Sequence, residues 1–200
     1  MVTASRGAGA DARSVLKIAT FNINGVNTRL ANLVEWLARE EPDVVCLQEL
    51  KATDKQFPAA ALRDAGYHAL WRGEPLWNGV AILARGVEPI EIRRVLPGQD
   101  KDPHARYLEA AVRGVIVAGL YLPNGNPIRG PKFRYKLAWF ESLIAHAQAL
   151  YDSGATGACS RKAGSTRCAS TPATSASTRS GTTSAITGSA TPGSASITCC

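Results

Sequence analysis

Two side chains able to take part in holding a divalent cation close two short apolar runs in the first fifty residues. Asn22 comes near the end of VLKIATFNIN and Glu49 ends DVVCLQE. Both runs are rich in Val, Ile and Leu and read as buried strands. One helix separates them, and a right-handed crossover sets such strands side by side, so the amide and the carboxylate meet at one sheet edge. Magnesium takes hard oxygen ligands, commonly one or two carboxylates with waters and phosphate oxygens, so this pair suits such a site but does not complete it. A solvated strand end for Glu49 and a turn position for Asn22 explain the same placement without chemistry.

Tyr121 ends the run VAGLY before PNGN, where a phenol can hydrogen-bond a phosphate oxygen or pack as a half-buried aromatic. Asn78, between Trp77 and Gly79, presents an amide and an aromatic to a nucleotide, or forms a plain turn before a strand. Lys51, Arg106, Lys132 and Lys136 suit phosphate contacts and equally suit solvated surface positions. His68, His104 and His146 are spread too widely to suggest a ligand cluster and receive no role.

The elements that position these groups follow from periodicity. Strands are expected over Val15 to Asn24 and Asp43 to Glu49. The helix between them spans Asn27 to Glu40, with Leu30, Leu33, Val34 and Leu37 on one stripe and Pro42 beyond its end. A second helix is expected from Phe57 to Ala65. Strands follow over Tyr67 to Arg72, Gly79 to Ala84, Glu88 to Val95, Arg106 to Val112 and Val115 to Tyr121, the last two joined by a hairpin at Gly114. Lys132 to Leu150 reads as an amphipathic helix with Leu137, Phe140, Leu143, Ile144 and Ala147 facing a sheet. The fold class is α/β with a mixed sheet, and the strand count suits half of a sandwich.

Composition divides the 200-residue chain. Beyond Tyr151 there is no Leu, Val, Phe, Tyr or Trp, and 20 of the 45 residues from Thr156 to Cys200 are Ser or Thr. Such a tail has too few apolar side chains to bury a core. Of the net charge of +7, four cations lie in the tail, leaving a mildly basic body that suits a polyanion. Cys46 is alone in the body, and the tail cysteines have no zinc-like spacing, so neither a disulfide framework nor a thiolate zinc site is indicated. No apolar run is long enough for a secretory signal or a bilayer span, so a cytoplasmic protein with no membrane partner is expected. Residues 1–15 read as a disordered leader, 16–152 as an incomplete domain and 153–200 as a disordered tail.

Taken together and in order, TFNINGVNTRL, PDVVCLQELKA, the Phe57–Pro58 pair, WNGVAILAR, ARYLEA and GLYLPNGNP resemble the exodeoxyribonuclease III family over roughly Lys17 to Tyr151. FNxNG followed by LQE marks the wider endonuclease/exonuclease/phosphatase superfamily. An arginine after NGVN, LK after QE, and the YLPNG segment favour its DNA-repair branch. The resemblance implies a four-layer α/β sandwich, represented here by its N-terminal part. It also implies Mg²⁺-assisted hydrolysis of DNA phosphodiesters, with Mn²⁺ as an alternative ion, in 3′-to-5′ exonuclease and apurinic-site cleavage. By the same resemblance Glu49 is a metal carboxylate, Asn22 an active-site amide beside the metal and Tyr121 a phosphate-orienting phenol. Asn78, Arg106, Lys51 and Asn124 are then DNA contacts, and the partner is double-stranded DNA with abasic or 3′-blocked ends, bound by a monomer. Alternatives are a phosphomonoesterase or phosphodiesterase of the same superfamily acting on a lipid or inositol phosphate, and a non-catalytic DNA-binding remnant.

The resemblance also implies a GDFN-like strand after the last helix and an Asp-His pair near the C-terminus, and neither occurs here. With permitted synonymous codons, however, Lys162 to Cys200 re-reads in another frame as a sequence containing YTFWDY and ending IDHLL, both family-like. The tail is therefore expected to be out of frame and the chain as written to be inactive.

Overall fold

A computed structural model of the chain describes residues 16–153, together with the short strand 197–199. The leader and nearly all of the Ser/Thr-rich tail fall outside the described residues. In chain order the elements are β1 (Ile18–Asn22), α1 (Leu30–Glu40), β2 (Val44–Gln48), a 3-10 turn (Asp54–Gln56), α2 (Ala59–Asp64), β3 (Tyr67–Arg72) and β4 (Val80–Arg85). Then come β5 (Ile90–Arg93), β6 (Tyr107–Val112), β7 (Val115–Leu120), α3 (Pro131–Asp152) and β8 (Ile197–Cys199). No helix among the described residues is long and apolar enough to cross a membrane.

The strands form two four-stranded sheets, β1-β2-β4-β3 and β5-β6-β7-β8. β1 and β2 are parallel neighbours joined through α1, with Asn22 opposite Gln48. Period-two alternation sends each strand's side chains to two different cores. Val45, Leu47, Ala81 and Leu83 pack with Leu33 and Leu37 of α1 and Leu62 of α2. Their neighbours Val44, Cys46, Val80 and Ile82 instead meet Leu108, Ala110, Val115 and Val117 of the second sheet. On that sheet's outer face, Tyr107 and Ala118 meet Trp139 and Leu143 of α3. Three cores between four layers make an α/β/β/α sandwich, and the chain contributes strands to both sheets rather than one sheet with its helices.

Local signals explain the joints. Glu41 ends α1 in the left-handed region and Pro42 follows it. Arg113 and Gly114 both have positive φ, the two-residue turn whose twist matches a β-hairpin, and they join β6 to β7. The first helix starts at Leu30 rather than Asn27, because residues 26–29 form a turn and Arg29 takes the non-helical N-cap position. In the tail, expected to be structureless, Ile197–Cys199 form β8 parallel to β7.

The last helix has the expected extent but a different inner face. Trp139 and His146 are buried with Tyr135 and Leu143 partly so, while Leu137, Ile144 and Ala147 are exposed and Phe140 is half-buried. The apolar count went astray because this face ends in a polar contact. Glu109 of β6 is fully buried, and its carboxylate lies 2.9 Å from the His146 ring and accepts bonds from Tyr107 and Arg93, each at 2.6 Å. Hydrophobic periodicity does not register an inward histidine.

Candidate active site

The chain beyond β2 turns sharply to deliver Glu49. Both Glu49 and Lys51 hold positive φ, a conformation costing roughly 1–2 kcal/mol for an ordinary side chain. Backbone bonds fix them on two sides. The Gly25 N–H donates to the Glu49 carbonyl at 2.8 Å, and the Lys51 N–H donates to the Asn78 carbonyl at 3.2 Å. Gly79 is needed here, since its φ is +87° and an added Cβ would lie 2.8 Å from the Cβ of Leu50.

Asn22, at the end of β1, donates from Nδ2 to Glu49 Oε1 at 2.8 Å, and its Oδ1 accepts the Asn24 N–H at 3.1 Å. This pairing fixes the amide's orientation, because an amide oxygen facing the carboxylate would be repelled. Tyr121, just past β7, donates its hydroxyl to the same Oε1 at 2.8 Å. Lys51 Nζ lies 3.2 Å from Oε2. Burial favours the protonated Glu49, but the bonds from Asn22, Tyr121 and Lys51 outweigh it and hold the carboxyl below its ordinary range. Burial and the bond to Glu49 push the Tyr121 phenol up to about 12, so it remains an uncharged donor near neutrality.

A cleft of about 520 Å³ opens beside this cluster, lined by Glu49, Tyr121, Trp77, Asn78, Arg106 and Asn124 among others. The Arg106 guanidinium lies 5.0 Å from the centre of the Tyr121 ring and donates to the Tyr121 and Leu122 carbonyls at 3.3 Å, so it also positions the phenol. Its Nε is buried without a hydrogen-bond partner among the described residues. Lys51 sits 5.6 Å from the exposed Trp77 ring. Asn124 is exposed, and its Oδ1 accepts the Asn126 N–H. Lys132 lines the cleft, whereas Lys136 lies over Phe140 outside the lining.

Asn78 differs from the other expected contacts in being buried at 5% exposure, with Nδ2 donating to Glu74 at 2.7 Å. It shapes the wall from behind. Glu74, His104 and Tyr135 also line the cleft, and sequence reasoning gave none of them a role. Glu74 and His104 are thirty residues apart with no periodic link, so only the proximity of His104 to Arg106 within PHAR offered a signal.

The donor set suits a hard cation through Glu49, because magnesium needs as little as one carboxylate when waters and phosphate oxygens fill its shell. Asn22 directs its nitrogen to that carboxylate and so orients it. Among the described residues no group of three or more His, Cys, Asp or Glu gathers as a ligand set.

An α/β/β/α sandwich carrying amide, carboxylate and phenol at the ends of strands from both sheets defines a class of α/β proteins with their site at the sandwich edge. Within it, the chain belongs to the Endonuclease/Exonuclease/phosphatase family, whose model matches residues 19–156. Members of this family generally use divalent metal ions. The chain is 32% identical over 142 residues to exodeoxyribonuclease III of Haemophilus influenzae, covering 68% of this chain and 53% of that one. Among solved structures, a 3′ phosphatase from Neisseria, NExo, bound to a product DNA hairpin matches with a TM-score of 0.66 at 41% identity, covering 68% of this chain and 53% of that one. An AP endonuclease from Archaeoglobus fulgidus matches with 0.64 at 36% identity, covering 67% and 51%. The chain spans about half the length of the curated relatives it matches.

Proposed function

We propose that this chain carries the metal- and phosphate-holding part of a Mg²⁺-dependent DNA-repair nuclease site, of the 3′-to-5′ exonuclease and apurinic-site type. The observation that carries the proposal is the Glu49 carboxylate gripped by Asn22 and Tyr121 beside a cleft that Arg106, Lys51 and Lys132 make attractive to phosphate. The names of the relatives supply DNA as the substrate class. Mg²⁺, or Mn²⁺ in its place, supplies positive charge to the reacting phosphate when bound. Glu49 would hold the ion, and Asn22 keeps that carboxylate aimed. Tyr121, neutral and orientated by Arg106, turns its hydroxyl to a phosphate oxygen. Lys51, Arg106 and Asn124 hold the flanking strand, and Asn78 acts through the wall it supports.

The resemblance puts the base that activates water in a GDFN-like strand after α3, which the sequence as written does not contain. Losing a general base costs about 10² to 10⁴ in rate. The Asp-His pair that the resemblance also implies is missing too, so the chain as written binds duplex DNA without measurable turnover. The test is an abasic-site duplex presented at low salt, with Mg²⁺ or EDTA, to this chain and to one carrying the re-read C-terminus. Salt-sensitive binding by both and cleavage only by the second are expected. Mg²⁺-dependent cleavage by the chain as written, abolished by Glu49→Ala, overturns its inactivity. Absence of binding at low salt overturns the DNA reading.

A further inference from the structure

The same cleft holds a second polar cluster that the proposed chemistry leaves unused. Glu74 leaves β3 and reaches the loop before β6, where Oε2 accepts the Ala105 N–H at 2.7 Å and Oε1 lies 3.1 Å from Nδ1 of His104. With Asn78 Nδ2 as a third donor, these bonds outweigh burial and hold the Glu74 carboxyl below its ordinary range. An anionic partner at Nδ1 makes that nitrogen the protonated one, which fixes the tautomer and leaves Nε2 as the open end of the ring. No hydrogen bond to Nε2 is formed within the described residues, and the side chain is 43% exposed in the cleft lining. The ring is held from other sides as well. Its own N–H donates to Asp102 Oδ1 at 3.0 Å, its face meets Tyr135 edge-on at 6.1 Å, and Tyr135 itself donates to Asp102 Oδ2 at 2.6 Å.

Resting on the reading that the cleft receives DNA, we infer that Glu74 and His104 form a proton-linked phosphate clamp, His104 contacting the phosphate and Glu74 positioning His104. A neutral ring with Nδ1–H on Glu74 would turn the Nε2 lone pair toward an incoming phosphate oxygen, which is repulsive. Docking therefore draws one proton from solvent onto Nε2. The resulting imidazolium donates Nδ1–H to Glu74 and Nε2–H to the phosphate, bridging two anions. The charged and titratable groups around it are Glu74 from the segment after β3, Asp102 and Arg106 from its own loop, and Lys132 and Tyr135 from α3. Asp100 and Lys101 of the same loop line a second pocket with His104 and Tyr135, and Glu49 beyond β2 and Tyr121 beyond β7 line the cleft. Cations and anions are mixed in this lining, and an imidazole is the side-chain type that ordinarily changes charge between roughly pH 5 and pH 8.

The test is the affinity of a fluorescent abasic-site duplex, read by anisotropy in EDTA at fixed low salt between pH 6 and pH 8. The wild-type chain is expected to bind about tenfold more weakly at pH 8 than at pH 6, and His104→Gln to lose that slope while binding about tenfold more weakly at pH 6. Glu74→Gln is expected to flatten the slope too, with circular dichroism showing both variants folded. His68 and His146 remain in every variant, so a slope retained by His104→Gln assigns the linkage elsewhere and overturns the clamp alone. If the wild-type chain does not bind the duplex at low salt, the clamp and the DNA reading fall together.

Discussion

Removing the carboxylate of Glu109 tests what fastens α3 to the second sheet, and with it the cleft wall that carries Lys132 and Tyr135. Glu109 is fully buried and is met by Arg93 from β5, Tyr107 from its own strand and His146 from α3. Arg93 is 40% exposed, so the Glu109→Ala change leaves it free to seek water. Tyr107 and His146 are buried and both lose this acceptor. Breaking a buried charged network by deleting one member costs about 3–5 kcal/mol. Against the roughly 5–15 kcal/mol that holds a domain folded, that is a large share. Glu109→Gln keeps the volume and one acceptor, so its cost is smaller, about 1–3 kcal/mol. Urea unfolding followed by far-UV circular dichroism measures both, and the alanine variant should show the lower midpoint. A loss under about 1 kcal/mol for Glu109→Ala would show that apolar contacts alone hold α3, and the reasoning would fail.

Three other perturbations probe separate joints. Asp43 accepts the Lys17 N–H and bonds from Arg85 and Arg113, and these outweigh burial to hold its carboxyl below the ordinary range. Its contribution is therefore present above the usual carboxylate pKa and lost as pH falls through the depressed value. Asp43→Asn should cost about 1–3 kcal/mol at pH 7, and the gap should narrow in urea titrations below about pH 4. Gly79→Ala combines a left-handed backbone with the 2.8 Å approach to Leu50, so it should cost at least about 1 kcal/mol by thermal unfolding, and a neutral result would contradict the geometry. Arg106→Ala removes a cation and the support of Tyr121, so duplex affinity should drop about tenfold and the salt dependence lose about one counterion.

Where two neighbouring segments decide a feature, the sequence alone exposed it. The β1-α1-β2 unit was legible because its apolar runs and stripe are regular, and the crossover rule then placed Asn22 beside Glu49. The hairpin at Gly114 was legible for a similar local reason. The division into two sheets was not, since short apolar strands look alike whichever sheet they join. The inner face of α3 was missed because His146 is satisfied only by Glu109, thirty-seven residues away. Glu74 and His104 escaped notice for the same reason, as a contact across thirty residues leaves no periodic trace. The burial of Asn78 likewise depends on Glu74, so its amide looked available when it is committed.

The central claim is that duplex DNA docks where Glu49, Tyr121 and Arg106 converge, and backbone NMR shifts on titrating an abasic-site duplex with Mg²⁺ test it most directly. The account predicts the largest changes at Asn22, Glu49, Lys51, Arg106 and Tyr121, weakened by Arg106→Ala. Changes centred on another face, or none at low salt, would contradict it.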